Sequence, residues 1–273
     1  MSERAFRFGV VAATAATGAE WVATAQRAEE LGYDTLLVPD TLRTLAPFPA
    51  LAVAAASTRT LRVGTYVLSV PNRAPGLVAW ESKTMHLLTG GRFELGLGGG
   101  RQGADRDAVA LGGHFGTPGE RLQRMADTIR AVRESGTPGP PIMVAASKPR
   151  MLRLAAEQAD IVALGLPPQS TEEELARAAG TLDRDSVELH VNVVAVAESA
   201  EAVPEWVSGM VGGGDPRAMA AAGGFAFLLG TPEEIAAVLR RRRAEFGISY
   251  IGVGAMFMEQ LAPVVALLRD TGP

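Results

Sequence analysis

The chain alternates short runs of apolar residues with longer stretches in which apolar positions recur at helical spacing. The first run covers 6–12, and Thr17 and Glu20 follow it with the spacing of a helix N-terminal capping box. A second run, 35–39, is apolar almost throughout, which is typical of a parallel strand that is buried on both faces. The pattern therefore predicts a strand, a helix and a second strand at the start of the chain.

The same alternation continues along the sequence and predicts eight strands with helices between them. The remaining predicted strands are 61–68, 92–97, 142–146, 160–164, 187–196 and 248–253. The predicted helices cover about 47–58, 76–89, 118–134, 149–158 and 258–269, with further helical segments after Thr171, over 200–223 and after Thr231. Alternating strands and helices favour a parallel sheet, and eight such units in about 250 residues match a (β/α)8 barrel. A doubly wound open sheet is the alternative. Residues 1–273 are expected to form a single domain.

Composition excludes several classes of protein. The chain has 273 residues and no cysteine, so disulfides, iron–sulfur clusters and thiolate zinc sites are excluded. Three widely spaced histidines, His86, His114 and His190, argue against a histidine metal site. A formal net charge of −4 is not typical of a nucleic-acid-binding protein. No apolar run approaches the ~20 residues that cross a membrane. The run after Arg7 is short and indicates a first core strand rather than a signal peptide, so a cytoplasmic protein is expected.

In a barrel, the functional groups lie at the C-terminal ends of the strands. The strand 92–97 opens into the glycines 98–100, which either let backbone approach a flat or anionic ligand or simply form a tight turn. The segment 145–147 precedes a helix, where free N–H groups favour a phosphate. The alternative there is that Ser147 caps the helix and Pro149 begins it.

Two ionisable residues lie on or after predicted strands. Asp40 follows the second strand, where a carboxylate could orient a ligand or move a proton, although a loop cap is the plainer interpretation. His190 lies within a strand and is expected to be packed and hydrogen-bonded rather than to act as a base. The sequence shows no Ser–His–Asp set and no paired catalytic carboxylates.

Six blocks of sequence, taken together and in order, resemble a known family. They are 29–40 (EELGYDT, then VPD), 61–75 (LRVGT, then RAP), 88–100 (LTGGRFELGLGGG), 118–121 (PGER), 159–162 (ADIV) and 230–235 (GTPEEI). The chain is thereby similar to the luciferase-like monooxygenase superfamily, in particular to its branch that depends on the deazaflavin coenzyme F420. The resemblance covers nearly the whole chain, and the block 88–100 is its most specific part.

The resemblance implies a (β/α)8 barrel that binds F420, with FMN as the alternative, at its C-terminal mouth and transfers a hydride. It also implies a bulge after the third strand, often with a non-proline cis peptide, which here falls on Tyr66 and Val67. The residues that it assigns to the cofactor are Asp40, Tyr66, Val67, Leu68, Ser69, Gly98, Gly99, Gly100, Ala145, Ala146 and Ser147. The proton could come from water or from Asp40 or Tyr66, which are the candidate catalytic residues. A homodimer is expected from the family.

The chain departs from the family pattern in three places. Thr41 stands where many relatives have a proton-transferring histidine, which favours reduction of a C=C or C=N bond over alcohol oxidation. Arg101 stands where several relatives have an acidic residue and suits an anionic substrate or the acidic tail of the cofactor. Thr41, Arg43 and Arg101 are assigned to the substrate.

The third departure is a shortened stretch before the strand 142–146, which predicts an open site for a bulky natural-product or peptide-like substrate. Two alternatives to an F420-dependent enzyme stay open at this point. They are an FMN-dependent monooxygenase and a non-catalytic flavin-binding protein.

Overall fold

Eight parallel strands close into a barrel in this computed structural model, which describes residues 4–101, 103–136 and 138–269. The strands are β1 (Arg7–Val11), β2 (Thr35–Val38), β3 (Arg62–Thr65), β4 (Leu68–Ser69), β5 (Phe93–Gly98), β6 (Ile142–Ala146), β7 (Ile161–Leu164), β8 (Glu188–Val193), β9 (Ala195–Ala197), β10 (Phe227–Leu229) and β11 (Ile248–Gly254). The barrel closes because β1 pairs with β11 and β3 pairs with β5. The (β/α)8 prediction is confirmed and the open sheet is wrong. The ends of the predicted single domain, 1–3 and 270–273, lie outside the described residues.

Helices follow the barrel strands and cover the outside of the barrel. They are α1 (Gly18–Glu30), α2 (Pro47–Ala56), α3 (Pro75–Leu88), α4 (Ala104–Ala110), α5 (Pro118–Glu134), α6 (Pro149–Gln158), α7 (Glu172–Ala179), α8 (Pro216–Ala221), α9 (Pro232–Phe246) and α10 (Met258–Arg269). Capping boxes begin α5, α7 and α9. At α1 the predicted box is only half formed. The Thr17 hydroxyl accepts from the Glu20 N–H, but the Glu20 carboxylate accepts from the Ala16 N–H at 2.8 Å.

Every second residue of a barrel strand points into the barrel. The interior is charged at its floor, by which we mean the N-terminal ends of the strands, and apolar above it. At the floor, the buried carboxylate of Glu94 pairs with Arg7 and Arg62, and Arg7 also pairs with Glu188 at 2.7 Å. Above this ion cluster lies an apolar layer formed by Leu37, Met143, Ile161, Ala163 and Tyr250. The charged floor lies at the N-terminal ends of the strands, where barrels carry residues for stability rather than catalysis.

The structure corrects three expectations about the second half of the chain. The predicted strand 187–196 is two strands, β8 and β9, because the Val194 N–H leaves the barrel and donates to the Ala226 carbonyl at 2.7 Å. β9 pairs instead with β10, a three-residue strand that the sequence pattern did not reveal. Of the helical segments predicted over 200–223, only a 3-10 turn at Glu205–Gly209 and the short α8 form. In the first half of the chain, the structure adds one helix that was not predicted, α4.

The short connection before β6 does not cover the mouth. It joins the end of α5 to the start of β6, and the Pro141 carbonyl accepts from the Leu95 N–H at 2.9 Å. A helix-to-strand connection lies at the N-terminal face of a barrel, opposite the functional mouth. The inference from its shortness to an open site is therefore wrong. The mouth is bordered instead by α4 with the segment after it and by the long connection between β9 and β10, residues 198–226.

Candidate active site

A bulge where β3 gives way to β4 shapes one wall of the mouth. Gly64 pairs with Glu94 and Leu68 pairs with Leu97, so β3 and β4 use one residue more than β5 between the two pairs. The Thr65 hydroxyl bridges the interruption, because it accepts from the Gly96 N–H at 2.8 Å and donates to the Gly96 carbonyl at 2.7 Å. The predicted non-proline cis peptide is present between Tyr66 and Val67.

Two glycines, one at the end of β5 and one just after it, allow other parts of the chain to approach closely. A Cβ on Gly98 would stand 2.5 Å from a Val67 methyl group, and a Cβ on Gly100 would stand 2.6 Å from the Phe115 ring. Gly100 also has a φ of +90°, in the left-handed region that favours glycine. These glycines are therefore required by the packing of the protein itself, whether or not a ligand also contacts them.

Asp40, at the end of β2, is held by the bulge. Its carboxylate accepts from the Ser69 N–H at 3.0 Å and from the Asn72 side chain at 3.4 Å, and it forms an ion pair with Arg73. The Asp40 side chain is only 6% exposed. These three donors fix the carboxylate in place, which favours a positioning role over proton transfer. Sequence reasoning assigned no role to Arg73, although it quoted the residue in the family pattern.

A cavity of about 290 Å³ opens at the mouth between the ends of β2, β3, β5, β6 and β7. Most residues predicted for the site line it: Asp40, Thr41, Tyr66, Val67, Ser69, Gly98, Gly99, Gly100, Arg101, Ala145, Ala146 and Ser147. Two do not. Leu68 is buried in the main core, and Arg43 is exposed on the turn after β2. The Ser69 hydroxyl is buried in this wall and has no hydrogen-bond partner within the described chain.

A second depression of about 550 Å³ continues from the cavity and shares Gly99, Gly100, Ala145 and Ser147 with it. Three cationic side chains line this groove, namely Arg121, Lys148 and Arg150. Lys148, not Ser147, is the N-cap of α6, and no side chain caps the helix. Of the alternative interpretation of this segment, the Ser147 cap is wrong, whereas Pro149 does begin the helix. The first N–H groups of α6 stay available to an anion, as the helix dipole favours.

A column of aromatic rings descends from the mouth to the floor. The ring of Tyr66 lies 4.9 Å from that of His190, which lies 4.7 Å from that of Tyr250, and the Arg7 guanidinium lies 4.3 Å from the Tyr250 ring. Burial, reinforced by the positive charge of Arg7, lowers the pKa of His190 to about 3. Burial raises the pKa of Tyr66, so its hydroxyl stays protonated near neutral pH.

His190 is packed, as expected, but not hydrogen-bonded. It is fully buried, and neither ring nitrogen has a partner among the residues that the structure describes. Asn192, two residues further along β8, was missed by the sequence analysis, and its side-chain oxygen is also buried without a partner there. The signal was present in the sequence, since Glu188, His190 and Asn192 alternate with apolar residues and so share the inner face of one strand.

The two remaining residues assigned to the substrate, Arg101 and Thr41, both have side-chain partners within the protein. Arg101 is about half exposed and pairs with Asp107 of α4 at 3.4 Å. The Thr41 hydroxyl lies 3.4 Å from that of Thr44.

No cluster of three or more metal-ligating side chains occurs in residues 4–101, 103–136 and 138–269. None of the helices described there has both the length and the apolar character needed to cross a membrane.

Comparison with known proteins gives a consistent result. A sequence model of the family described as luciferase-like monooxygenase matches residues 5–250. The chain is 30% identical over 131 residues to a 4-hydroxyprotoasukamycin monooxygenase of Streptomyces nodosus subsp. asukaensis. This alignment covers 45% of this chain and 32% of the relative. It is 30% identical over 155 residues to a 5,10-methylenetetrahydromethanopterin reductase of Archaeoglobus fulgidus, which covers 49% of this chain and 45% of the relative. The chain thus matches less than half the length of either relative.

A solved structure resembles the whole barrel. It is the coenzyme F420-dependent tetrahydromethanopterin reductase of Methanopyrus kandleri, with a TM-score of 0.73 and 14% identity. The superposition covers 96% of this chain and 97% of that one. At this level of identity the likeness establishes the fold alone.

Proposed function

Because the chain belongs to the luciferase-like monooxygenase family, whose members are oxidoreductases, we propose that it is an F420-dependent reductase. In this proposal a hydride passes between the deazaflavin and an organic substrate, in the direction that reduces a C=C or C=N bond. The observation that carries the choice of F420 is the cationic groove that continues from the mouth cavity. FMN ends at its phosphate, whereas F420 carries an acidic tail beyond it. The positive charges of Lys148, Arg150 and Arg121 in the groove support the proposal, because they would attract such a tail.

The residues present suit a ring with a phosphate and an acidic tail. The bulge at Tyr66 and Val67 would support the ring, and the unpartnered Ser69 hydroxyl is available to its polar edge. The uncapped N-terminus of α6 would hold the phosphate. When bound, F420 would supply the hydride chemistry, and the protein would supply orientation and electrostatics.

Within this proposal, different side chains of the mouth donate the proton, position the bulge and contact the substrate. Tyr66 is the candidate proton donor, because its hydroxyl is protonated near neutral pH and its ring forms part of the cavity wall. Asp40 would hold the bulge in position through Ser69 and Arg73 rather than donate a proton itself. Thr41 and Arg101 lie at the cavity rim, where they would meet the substrate.

An FMN-dependent monooxygenase is the second candidate, since one relative carries a monooxygenase name at 30% identity. Titration of the purified protein with F420 and with FMN, followed by absorbance and fluorescence, separates the two. Micromolar binding of FMN without binding of F420 would refute the leading proposal. Binding without single-turnover oxidation of the reduced cofactor by any candidate substrate would indicate a non-catalytic carrier.

The chain's two lysines offer a matched test of the groove. Lys148→Glu reverses a charge in the groove and is expected to weaken F420 binding about tenfold, a loss of about 1.4 kcal/mol, with a smaller effect on FMN. Lys83→Glu reverses a charge on α3 and is expected to leave both affinities unchanged. Equal losses for F420 and FMN in the Lys148 variant would remove the argument for an acidic tail.

We also propose a homodimer in the cytoplasm, with α3 as the contact. Along this helix, Leu77, Trp80, Leu87 and Leu88 are exposed, Trp80 to 70%. Large apolar patches on a protein surface mark interaction sites. Trp80→Glu is expected to convert a dimer to a monomer in sedimentation velocity, whereas Val109→Glu, at an exposed apolar residue of α4, should not. A monomeric parent protein would refute the dimer.

A further inference from the structure

Two methionine side chains lie over the part of the mouth that the cofactor cavity does not use. Tyr250, Gly252 and Gly254 alternate along the inner face of β11. A Cβ on Gly254 would stand 2.7 Å from the Met256 sulfur and 3.8 Å from the Met210 methyl group. Both thioethers therefore lie over the inner side of β11, where the strand ends at the mouth.

Trp206 extends the apolar surface around these methionines. Its ring stacks on that of Phe257 with the centroids 5.3 Å apart. Met210, Met256 and Trp206 are exposed to 42%, 53% and 51%, and together they form what we call the methionine shelf. Methionine side chains are flexible and polarisable, and they adapt to apolar ligands of varied shape.

The segment that leads to the shelf carries more negative than positive charge, although Arg217 of α8 donates to its Val203 carbonyl at 3.0 Å. Glu198, Glu201 and Glu205 are exposed on the segment that leads to Trp206 and Met210. The cationic residues of the mouth line the groove beside β6 instead. An anionic ligand would thus be bound more favourably in the groove than at the shelf, so the two sides of the mouth select for different chemistry.

A buried polar group lies below the shelf. A Cβ on Gly252 would stand 2.8 Å from the Asn192 side-chain oxygen and 2.7 Å from the Nε2 of His190. The Asn192 oxygen accepts no hydrogen bond from the residues that the structure describes. An unsatisfied buried acceptor carries a free-energy penalty that a ligand with an O–H or N–H donor would relieve. Glycine is required at position 252, because any side chain there would collide with the Asn192 amide and the His190 ring.

We propose that the methionine shelf and Asn192 form the substrate subsite, and that the substrate is an uncharged, largely apolar organic molecule with one hydrogen-bond donor. Its apolar part would lie on the shelf and its donor would reach the Asn192 oxygen. This inference rests on the proposed function, because it takes the cavity between β2 and β7 as the cofactor site, with Thr41 and Arg101 meeting the substrate at its rim, and assigns the rest of the substrate to β8 and β11.

Three naphthalene probes test the chemistry of the subsite by equilibrium dialysis. 2-Naphthol has the donor, 2-methoxynaphthalene lacks it and 2-naphthoate carries a negative charge. The parent protein is expected to bind 2-naphthol about fivefold more tightly than the methoxy compound and about tenfold more tightly than naphthoate. Equal binding of all three probes would overturn the proposal.

Variants assign the binding to the shelf and to Asn192. Met210→Ser combined with Met256→Ser is expected to weaken 2-naphthol binding about tenfold. Asn192→Leu, or Asn192→Ser if the leucine variant is unstable, should abolish the preference for the hydroxyl. Val53→Ser, at an exposed apolar residue of α2, is the control and should change neither. Unchanged binding in the double variant, or a preference that survives at Asn192, would overturn the subsite.

Cofactor titrations on the same variants separate this inference from the proposed function. The double shelf variant is expected to bind F420 as the parent does, because its substitutions lie outside the cofactor cavity and groove. If F420 fails to bind the parent protein, the proposed function fails while the naphthalene series still decides the subsite. A loss of F420 binding that parallels the loss of 2-naphthol binding would show that the shelf belongs to the cofactor site and would refute the assignment.

Discussion

Gly96→Ala is expected to lower the free energy of unfolding by about 3 kcal/mol, because the new methyl group meets backbone. A Cβ at this position would stand 2.0 Å from the Thr65 carbonyl oxygen, at the point where the Thr65 hydroxyl already joins the two strands. Neither atom can move without opening the contact between the bulge and β5. Urea unfolding followed by far-ultraviolet circular dichroism measures the effect.

The same substitution elsewhere in the chain provides the control. Gly76 lies in the first turn of α3 with nothing within 4 Å of its Cβ position, so Gly76→Ala is expected to raise stability by up to about 1 kcal/mol. If Gly96→Ala is too unstable to purify, Gly98→Ala replaces it, since its Cβ would meet a Val67 methyl group at 2.5 Å rather than backbone. Stability of Gly96→Ala within about 0.5 kcal/mol of the parent would contradict the close approach at the bulge.

The sequence pattern predicted the barrel because buried parallel strands and amphipathic helices leave strong periodic signals. β2 is buried at every position, and the capping boxes of α5 and α9 mark the starts of those helices. β10 was missed because three apolar residues carry no period that separates a strand from a loop. The break at Val194 was missed because that residue is as buried outside the barrel as its neighbours are inside it.

The sequence predicted which residues line the candidate site better than it predicted what each residue does there. The barrel rule places functional groups at strand ends, and this alone brought together Asp40, Tyr66 and Ser147. It could not show that Asp40 is bound by Arg73, because that pair joins residues far apart in the chain. Nor could it show that the glycines after β5 accommodate Val67 and Phe115, since such contacts depend on the tertiary fold.

The column of rings connects the mouth to the floor and is expected to make the protein sensitive to acid. His190 sits between Tyr66 above and Tyr250 below, and Arg7 at the floor adds a positive charge that disfavours the imidazolium. The burial of the ring and the charge of Arg7 therefore keep this imidazole neutral. The barrel carries a histidine that can be protonated readily only when the protein unfolds.

Acid is expected to destabilise the parent protein through this residue. An unfolded histidine titrates near pH 6.5, whereas the pKa of His190 in the folded protein is about 3. Below about pH 6.5 the unfolded chain takes up a proton that the folded chain does not. Stability is therefore lost as the pH falls towards 3, at about 1.4 kcal/mol per pH unit, and this histidine contributes no pH dependence above about pH 7.

His190→Leu removes this contribution along with the two unpartnered ring nitrogens, so the variant is expected to be at least as stable as the parent at pH 7. At pH 4 it should exceed the parent by about 3 kcal/mol, measured by urea unfolding across the pH range. His114→Leu, which removes an exposed imidazole, is the matched control, and the difference between the two variants isolates the effect of burial. Stability curves for His190→Leu and the parent that stay parallel from pH 7 to pH 4 would show that His190 takes up its proton without unfolding. Since its nitrogens have no partner within the described chain, solvent would then have to reach the base of the cavity from the mouth.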